Sequence, residues 1–151
     1  MEIVDMETRE LRSYIDRHKP TLATRVDECK AGADELDEDS SVIDVDRVLD
    51  DMRRMESLGN KIGCYCRNVV GRRNWTALQI LPNDETVSDE RMFAARTDES
   101  ETKTKVKTTI KYCEGKIRIQ KEAAAKKEAR TNFRILREAR LKEEAAFPSS
   151  S

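Results

Sequence analysis

Between Val45 and Val69 the apolar residues fall in alternating steps of three and four: Val45, Val48, Met52, Met55, Ile62, Cys66 and Val69, with Gly59 at the remaining position of the series. A strand would send alternate residues to one face and so bury Arg53, Lys61 and Arg67, whereas a helix gathers the whole series into one stripe. Residues 43–72 are therefore expected to form an amphipathic helix, and a stripe of that length has to be covered by another helix.

The first region, from about residue 2 to residue 36, offers the partner. Leu11, Ile15, His18, Leu22, Val26, Cys29, Ala33 and Leu36 recur at the same helical spacing. Pro20 lies inside this run, removes one amide donor and crowds the preceding turn, which predicts a kink or break between His18 and Thr21. A short turn, Asp37-Glu38-Asp39-Ser40-Ser41, follows, with Ser40 or Ser41 available to cap the next helix. So short a connection forces the two helices antiparallel. Gly71 with Arg72, Arg73 and Asn74 is expected to end the second helix. Trp75, Leu78, Ile80 and Leu81 then form an apolar patch over 75–81, followed by the turn signal Pro82-Asn83-Asp84, with Trp75 expected to anchor packing against the hairpin or to bind a partner.

The third helix is expected to start near Ser88, with Met92, Val106, Ile110, Cys113 and Ile117 as its stripe. Its Thr-rich middle suggests a break between Ala95 and Lys103, where Thr97-Asp98-Glu99-Ser100 offers caps for a restart. From Ile119 onward Ala, Lys, Glu and Arg dominate, giving high intrinsic helicity on a thin seam of Ala125, Ala129, Phe133 and Leu136. The expected architecture is all-α: an elongated antiparallel helical hairpin plus a long third helix, with a protruding basic C-terminal end. Residues 1–119 make the bundle (helices about 2–36, 43–72 and 88–119), 120–146 an extended charged helix, and 147–151 a flexible tail.

Charge follows the same division. Residues 1–100 carry 15 Lys or Arg against 23 Asp or Glu, and residues 101–151 carry 14 against 7. The segment from Val26 to Asp51 holds 11 carboxylates and only Lys30 and Arg47 as cations, so it is set to complement a basic helix in this molecule or in a neighbour. Charged residues make up 39% of the chain and aromatics 5%, a balance that suits thin-seamed helical rods better than a thick globular core.

Catalytic and cofactor chemistry finds little support in the motifs. Cys64-Tyr65-Cys66 places two thiols about 200° apart on a helix, unable to chelate one ion together, and structural zinc wants four ligands in paired arrays. Cys29, Cys66 and Cys113 instead fall on seams as small apolar residues. His18, the single histidine, has no nucleophile near it in sequence, and the glycines form no phosphate loop. A non-enzymatic role without cofactor or metal is therefore expected. The acidic N-terminus lacks the apolar core of a signal peptide, and no apolar run approaches the roughly 20 residues of a membrane span. The four cysteines are accordingly expected as reduced thiols, in the cytoplasm or nucleus, with no membrane partner.

Two functional readings follow. The first is a helical interaction or self-assembly module, partnering itself or another helical protein. Its candidate interaction residues are Trp75, Phe133, Leu136, Lys126, Lys127, Arg130, Arg134 and Arg137. The alternative is a nucleic-acid-associated protein using the basic C-terminal helix, whose cations are interspersed with carboxylates and have only Tyr112 and Phe133 as stacking aromatics.

The order of features resembles the N-terminal helical region of Gag-like polyproteins from Bel/Pao-type animal retrotransposons. It comprises a hairpin with seams from Leu11 to Val69, then Trp75, Pro82-Asn83-Asp84-Glu85, Phe93 and a long charged helix ending in a Pro/Ser tail. That resemblance implies a non-enzymatic segment that assembles with copies of itself, ahead of protease and polymerase parts. The chain differs in lacking a zinc knuckle and polymerase motifs, and a free-standing helical protein fits the same residues.

Overall fold

The computed structural model describes Ile3, residues 6–77 and residues 87–146, without the side chains of 74–77. Three helices carry the described residues: α1 (Thr8–Asp34), α2 (Val42–Ala77) and α3 (Asp89–Ala146). The architecture is all-α, with no strand among the described residues. At about 1.5 Å per residue they run to about 40, 54 and 87 Å. The short turn folds α2 back along α1. Arg73 meets Asp89 at 2.5 Å at one end, while Lys127 meets Asp39 at the other, so α3 runs parallel to α1 and antiparallel to α2.

Local chemistry sets the helix starts. Glu7 and Glu10 form a reciprocal capping box at α1. Ser41 Oγ accepts the Asp44 amide at 3.3 Å while Asp44 accepts the Ser41 amide at 2.8 Å, the same device at α2. Ser88 Oγ accepts the Arg91 amide at 3.2 Å at α3.

The α1 and α2 stripes meet as their spacing requires. Leu11, Ile15, Leu22, Val26, Cys29 and Ala33 are buried against Val45, Val48, Met52, Met55, Ile62, Cys66 and Val69. His18 is only half-buried on this stripe. Gly59 explains its own place in the seam: a Cβ there would lie 2.7 Å from Val106 Cγ2 on α3. The apparent gap is a point of close contact between α2 and α3.

Several boundaries differ from the sequence expectations. α1 has no break at Pro20, because that residue and Asp16, whose carbonyl loses its partner, both face solvent while Ile15 and Leu22 hold the two halves on the core. α2 continues past Gly71 and Arg72 to Ala77. Arg72 is buried there and donates to the Ile3 carbonyl at 3.0 Å, and Arg73 reaches Asp89, so tertiary contacts sustain the extra turns. The expected patch residues Leu78, Ile80 and Leu81, the Pro82–Asp84 turn and the 147–151 tail lie outside the described residues.

The largest difference is in α3, which shows no break between Ala95 and Lys103. Its buried residues are Ala95, Asp98, Thr102, Val106, Thr109, Cys113, Ile117 and Gln120, while Met92 and Ile110 are only half-buried. Successive steps of three, four and four repeat every eleven residues, closer to the pitch of a straight helix than the heptad of α2. That stripe is half polar, and Asp98, Thr109 and Gln120, with the thiol of Cys113, meet specific partners. Thr109 Oγ1 donates to the Lys105 carbonyl at 2.8 Å, Cys113 Sγ to the Cys29 carbonyl at 3.5 Å, and Gln120 Nε2 to the Ser40 carbonyl at 3.1 Å.

Asp98, 6% exposed, is the charged member. Its two oxygens lie 2.7 Å from Lys19 Nζ and 2.6 Å from Arg12 Nη1, both on α1. Burial works to raise the carboxyl pKa, but the hydrogen bonds and charges of Lys19 and Arg12 outweigh it and hold the group below its ordinary value. Arg12 is oriented in turn by Asp16, with Nη2 to Oδ1 at 2.7 Å.

Two predictions follow from these contacts. Gly59→Ala is expected to lower the melting temperature despite its better helix propensity, because β-branched Val106 cannot yield freely. Adding Val106→Ala should recover part of the loss, whereas Gly71→Ala and Gly115→Ala, with nothing within 4 Å, should each stabilise by about 0.5–1 kcal/mol. Urea titration of the four variants checks this. Asp98→Asn should cost about 2 kcal/mol at pH 7, less than breaking a fully buried pair because Arg12 and Lys19 retain access to water. Since the folded carboxyl titrates below the unfolded one, near 3.8, the clamp is intact above that pH and lost as pH falls through the folded value. Wild type and variant should therefore converge in stability as pH falls from 5 toward 3.

Candidate interaction surface

The basic side of α3 first meets the acidic end of the hairpin. The Tyr112 hydroxyl donates to Asp34, and Lys116 lies 3.6 Å from the same carboxylate. Lys116 and Lys30 also sit 5.5 and 5.9 Å from the Tyr112 ring centroid. Three to four turns on, Lys127 pairs with Asp39, and Arg130 with Glu38 at 3.2 Å. Contact with the hairpin therefore extends through Arg130, three turns beyond the Ile119 boundary expected from sequence. The charge complementarity between the Val26–Asp51 segment and the basic third is made within one molecule.

Past Arg130, α3 stands alone for 16 residues, about 24 Å. Phe133 and Leu136 are each 69% exposed, and Ile135 and Leu141 each 54%. At 100° per residue, Phe133 and Leu136 lie within about 60° of each other, while Ile135 and Leu141 point to other sides of the helix. Four large apolar groups in so short a span exceed the isolated apolar residues ordinary on a surface. Arg134, Arg137 and Arg140 are interleaved with them and exposed, Arg140 lying 3.5 Å from Glu144.

Among the candidate residues, the structure thus brings Phe133, Leu136, Arg134 and Arg137 onto this overhang. It commits Lys127 and Arg130 to the hairpin and leaves Lys126 exposed at the junction. Trp75 falls in the last turn of α2, and its anchoring role lies outside the described side chains. Ile135 and Leu141 were legible as apolar residues but break the single seam expected there. A further exposed pair was missed: Val42 and Ile43, 77% and 70% exposed at the start of α2. Continued backward, the alternating steps of the Val45–Val69 series land on Ser41 and leave Val42 and Ile43 off the seam, and that was the available signal.

The remaining candidate chemistry is absorbed into packing. Cys29, Cys66 and Cys113 are buried and Cys64 half-buried, all as free thiols. Burial pushes the Cys29 and Cys66 thiols up to about 11, which keeps them protonated and weakly nucleophilic. His18 lies 4.1 Å from the Tyr14 ring, which stacks on Tyr65 at 3.8 Å, linking α1 to α2. Partial burial and the neighbouring Arg17 and Lys61 lower the imidazole pKa, favouring the neutral ring. Among the described residues no group of three His, Cys, Asp or Glu side chains could hold a metal ion. No helix of the described residues is long and apolar enough to cross a membrane.

An open groove of about 480 Å³ runs between α2 and α3 over Gly59, Gly63, Val106 and Ile110. Its rims mix Lys103, Lys107 and Lys111 with Glu56, Glu99 and Glu114, so it presents no uniform positive field to a phosphate backbone. Comparison with known proteins leaves the geometry as the basis for interpretation, since no family model, curated protein or solved structure matches the chain.

Proposed function

We propose that this protein is a non-enzymatic helical assembly module that associates with copies of itself through the end of α3. The observation that carries this reading is the overhang, where Phe133, Ile135, Leu136 and Leu141 are exposed on a helix with no hairpin beneath it. An Ala-, Glu- and Arg-rich helix holds its own conformation well but has too little apolar area to pack alone. A second helix supplies the missing cover. In this reading the seams act as coiled-coil surfaces, and the chain works as an assembly segment of the kind its Gag-like layout implies. Its four free thiols suit a reducing compartment, the cytoplasm or nucleus.

The nucleic-acid alternative is weakened because Lys116, Lys127 and Arg130 are engaged by hairpin carboxylates. Salt separates the two: association through buried apolar groups should persist at 0.5 M salt, whereas phosphate binding should fall steeply. Truncation after Arg130 should leave the thermal transition within a few degrees of the full chain and reduce the mass measured by light scattering to that of a monomer. A truncated chain that associates like the full one would remove the overhang from the interface.

A further inference from the structure

One stripe of exposed side chains runs along α3 from before the end of the hairpin into the overhang. Its centre is Ala125, Ala129, Phe133 and Leu136, at steps of four, four and three. Arg118 and Glu122 precede these residues at the same spacing, and Arg140 and Glu143 follow them. All of these side chains are exposed. The stripe is centred more than about 100° round the helix from Cys113, Ile117 and Gln120, which are buried on the hairpin side. Among the described residues Arg118, Glu122 and Glu143 make no ion pair, and Arg140 meets Glu144 of its own helix. The hairpin therefore neither covers this face nor neutralises its ends.

Resting on the self-association proposed above, we infer that two copies of α3 pair antiparallel through this stripe, about a two-fold axis at the level of residue 131. Reversed against itself, the stripe matches at every level. Arg118 of one copy faces the partner's Glu143, and Glu122 faces the partner's Arg140. Ala125 faces the partner's Leu136, and Ala129 the partner's Phe133. At 1.5 Å per residue each of these pairs lies within about 1 Å of a common level, and the axis makes every contact twice. An alanine opposite each large apolar side chain leaves room for it, so the two helices can approach closely without overlap. Opposite charges then close both ends of the apolar centre. A parallel pair would instead set Arg118 against Arg118 and Glu122 against Glu122, so charge selects the antiparallel arrangement. The hairpins also stay clear of each other. Each lies on the far side of its own α3 and ends near Arg130, close to the axis, so the two bodies extend in opposite directions. Ile135 and Leu141, more than about 100° from the centre of the stripe, are not part of this contact.

Charge exchange within the full chain tests the register. Arg118→Glu with Arg140→Glu, and separately Glu122→Arg with Glu143→Arg, each set like charges at all the charged contacts of the dimer. Each double variant is expected to dimerise at least about tenfold more weakly than the unaltered chain, measured by sedimentation equilibrium. All four substitutions in one chain reverse every pair and should recover most of that loss, which neither a parallel dimer nor another antiparallel register would allow. Ala129→Glu, at an exposed position and with a good helix former, should abolish the dimer while leaving the melt of the dilute monomer unchanged. Circular dichroism establishes that each variant is folded. Double variants or Ala129→Glu that dimerise like the unaltered chain, or a fourfold variant as weak as the doubles, overturn the antiparallel stripe. If truncation after Arg130 still abolishes the dimer in that case, association through the overhang stands in a different arrangement. An unaltered chain that is monomeric at all concentrations overturns both.

Discussion

A single carboxylate ties the third helix to the first. Asp98 is buried on α3 between Arg12 and Lys19, which lie two turns apart on α1, and their reach fixes how far α3 can slide along the hairpin. Buried ion pairs contribute less to stability than their Coulomb energy suggests, because both partners lose water. Their larger effect is on register: moving α3 by one turn in either direction would break one of the two pairs, and a larger shift would leave Asp98 without a cation. Cys113 against the Cys29 carbonyl and Gln120 against the Ser40 carbonyl repeat the constraint further along. Three polar residues of α3, each with its own partners in the hairpin, thus define a helix that its few apolar residues would place only loosely.

Close approach at Gly59 is the complementary device. Val106 fills the space that a side chain on α2 would occupy, bringing the two backbones together where the α3 stripe is otherwise thin. Polar register and backbone proximity together let α3 pack with fewer large apolar groups than α1 and α2 use between themselves. The cost of the arrangement appears beyond Arg130, where the hairpin ends and the remaining apolar side chains have nothing from their own molecule to cover them.

Charge is distributed along the same axis. The acidic turn neutralises part of the basic helix within one chain through Asp34, Glu38 and Asp39, while Asp46, near Val42 and Ile43, remains exposed. The ends of the bundle are therefore different in kind. One is closed by Arg72, Arg73 and the start of α3, and the other presents an acidic, partly apolar tip next to a free helix. Self-association at the second end, the reading proposed above, would use the surfaces that intramolecular packing leaves open.

The seams of α1 and α2 were legible in the sequence because large apolar residues recur there at one helical period, and the hairpin follows from the short acidic turn between them. Ser41 and Ser88 were legible as caps for a similar reason, since capping depends on the few residues next to it. Local chemistry also marked Pro20, Gly71 and the Thr97–Ser100 run as breaks, and at each of these the helix continues. Tertiary packing overrides local preference there. Ile15 and Leu22 hold α1 across the proline, Arg72 and Arg73 extend α2, and Arg12 with Lys19 makes Asp98 an interior residue instead of a cap. The α3 stripe was hidden for the same reason. Asp98 and Gln120 count as surface residues until a partner from the hairpin satisfies them, and no spacing rule within one helix can supply that partner. Likewise the apolar overhang residues were visible as letters, but only the position of the hairpin tip, set by the register of α3, decides which of them are left exposed.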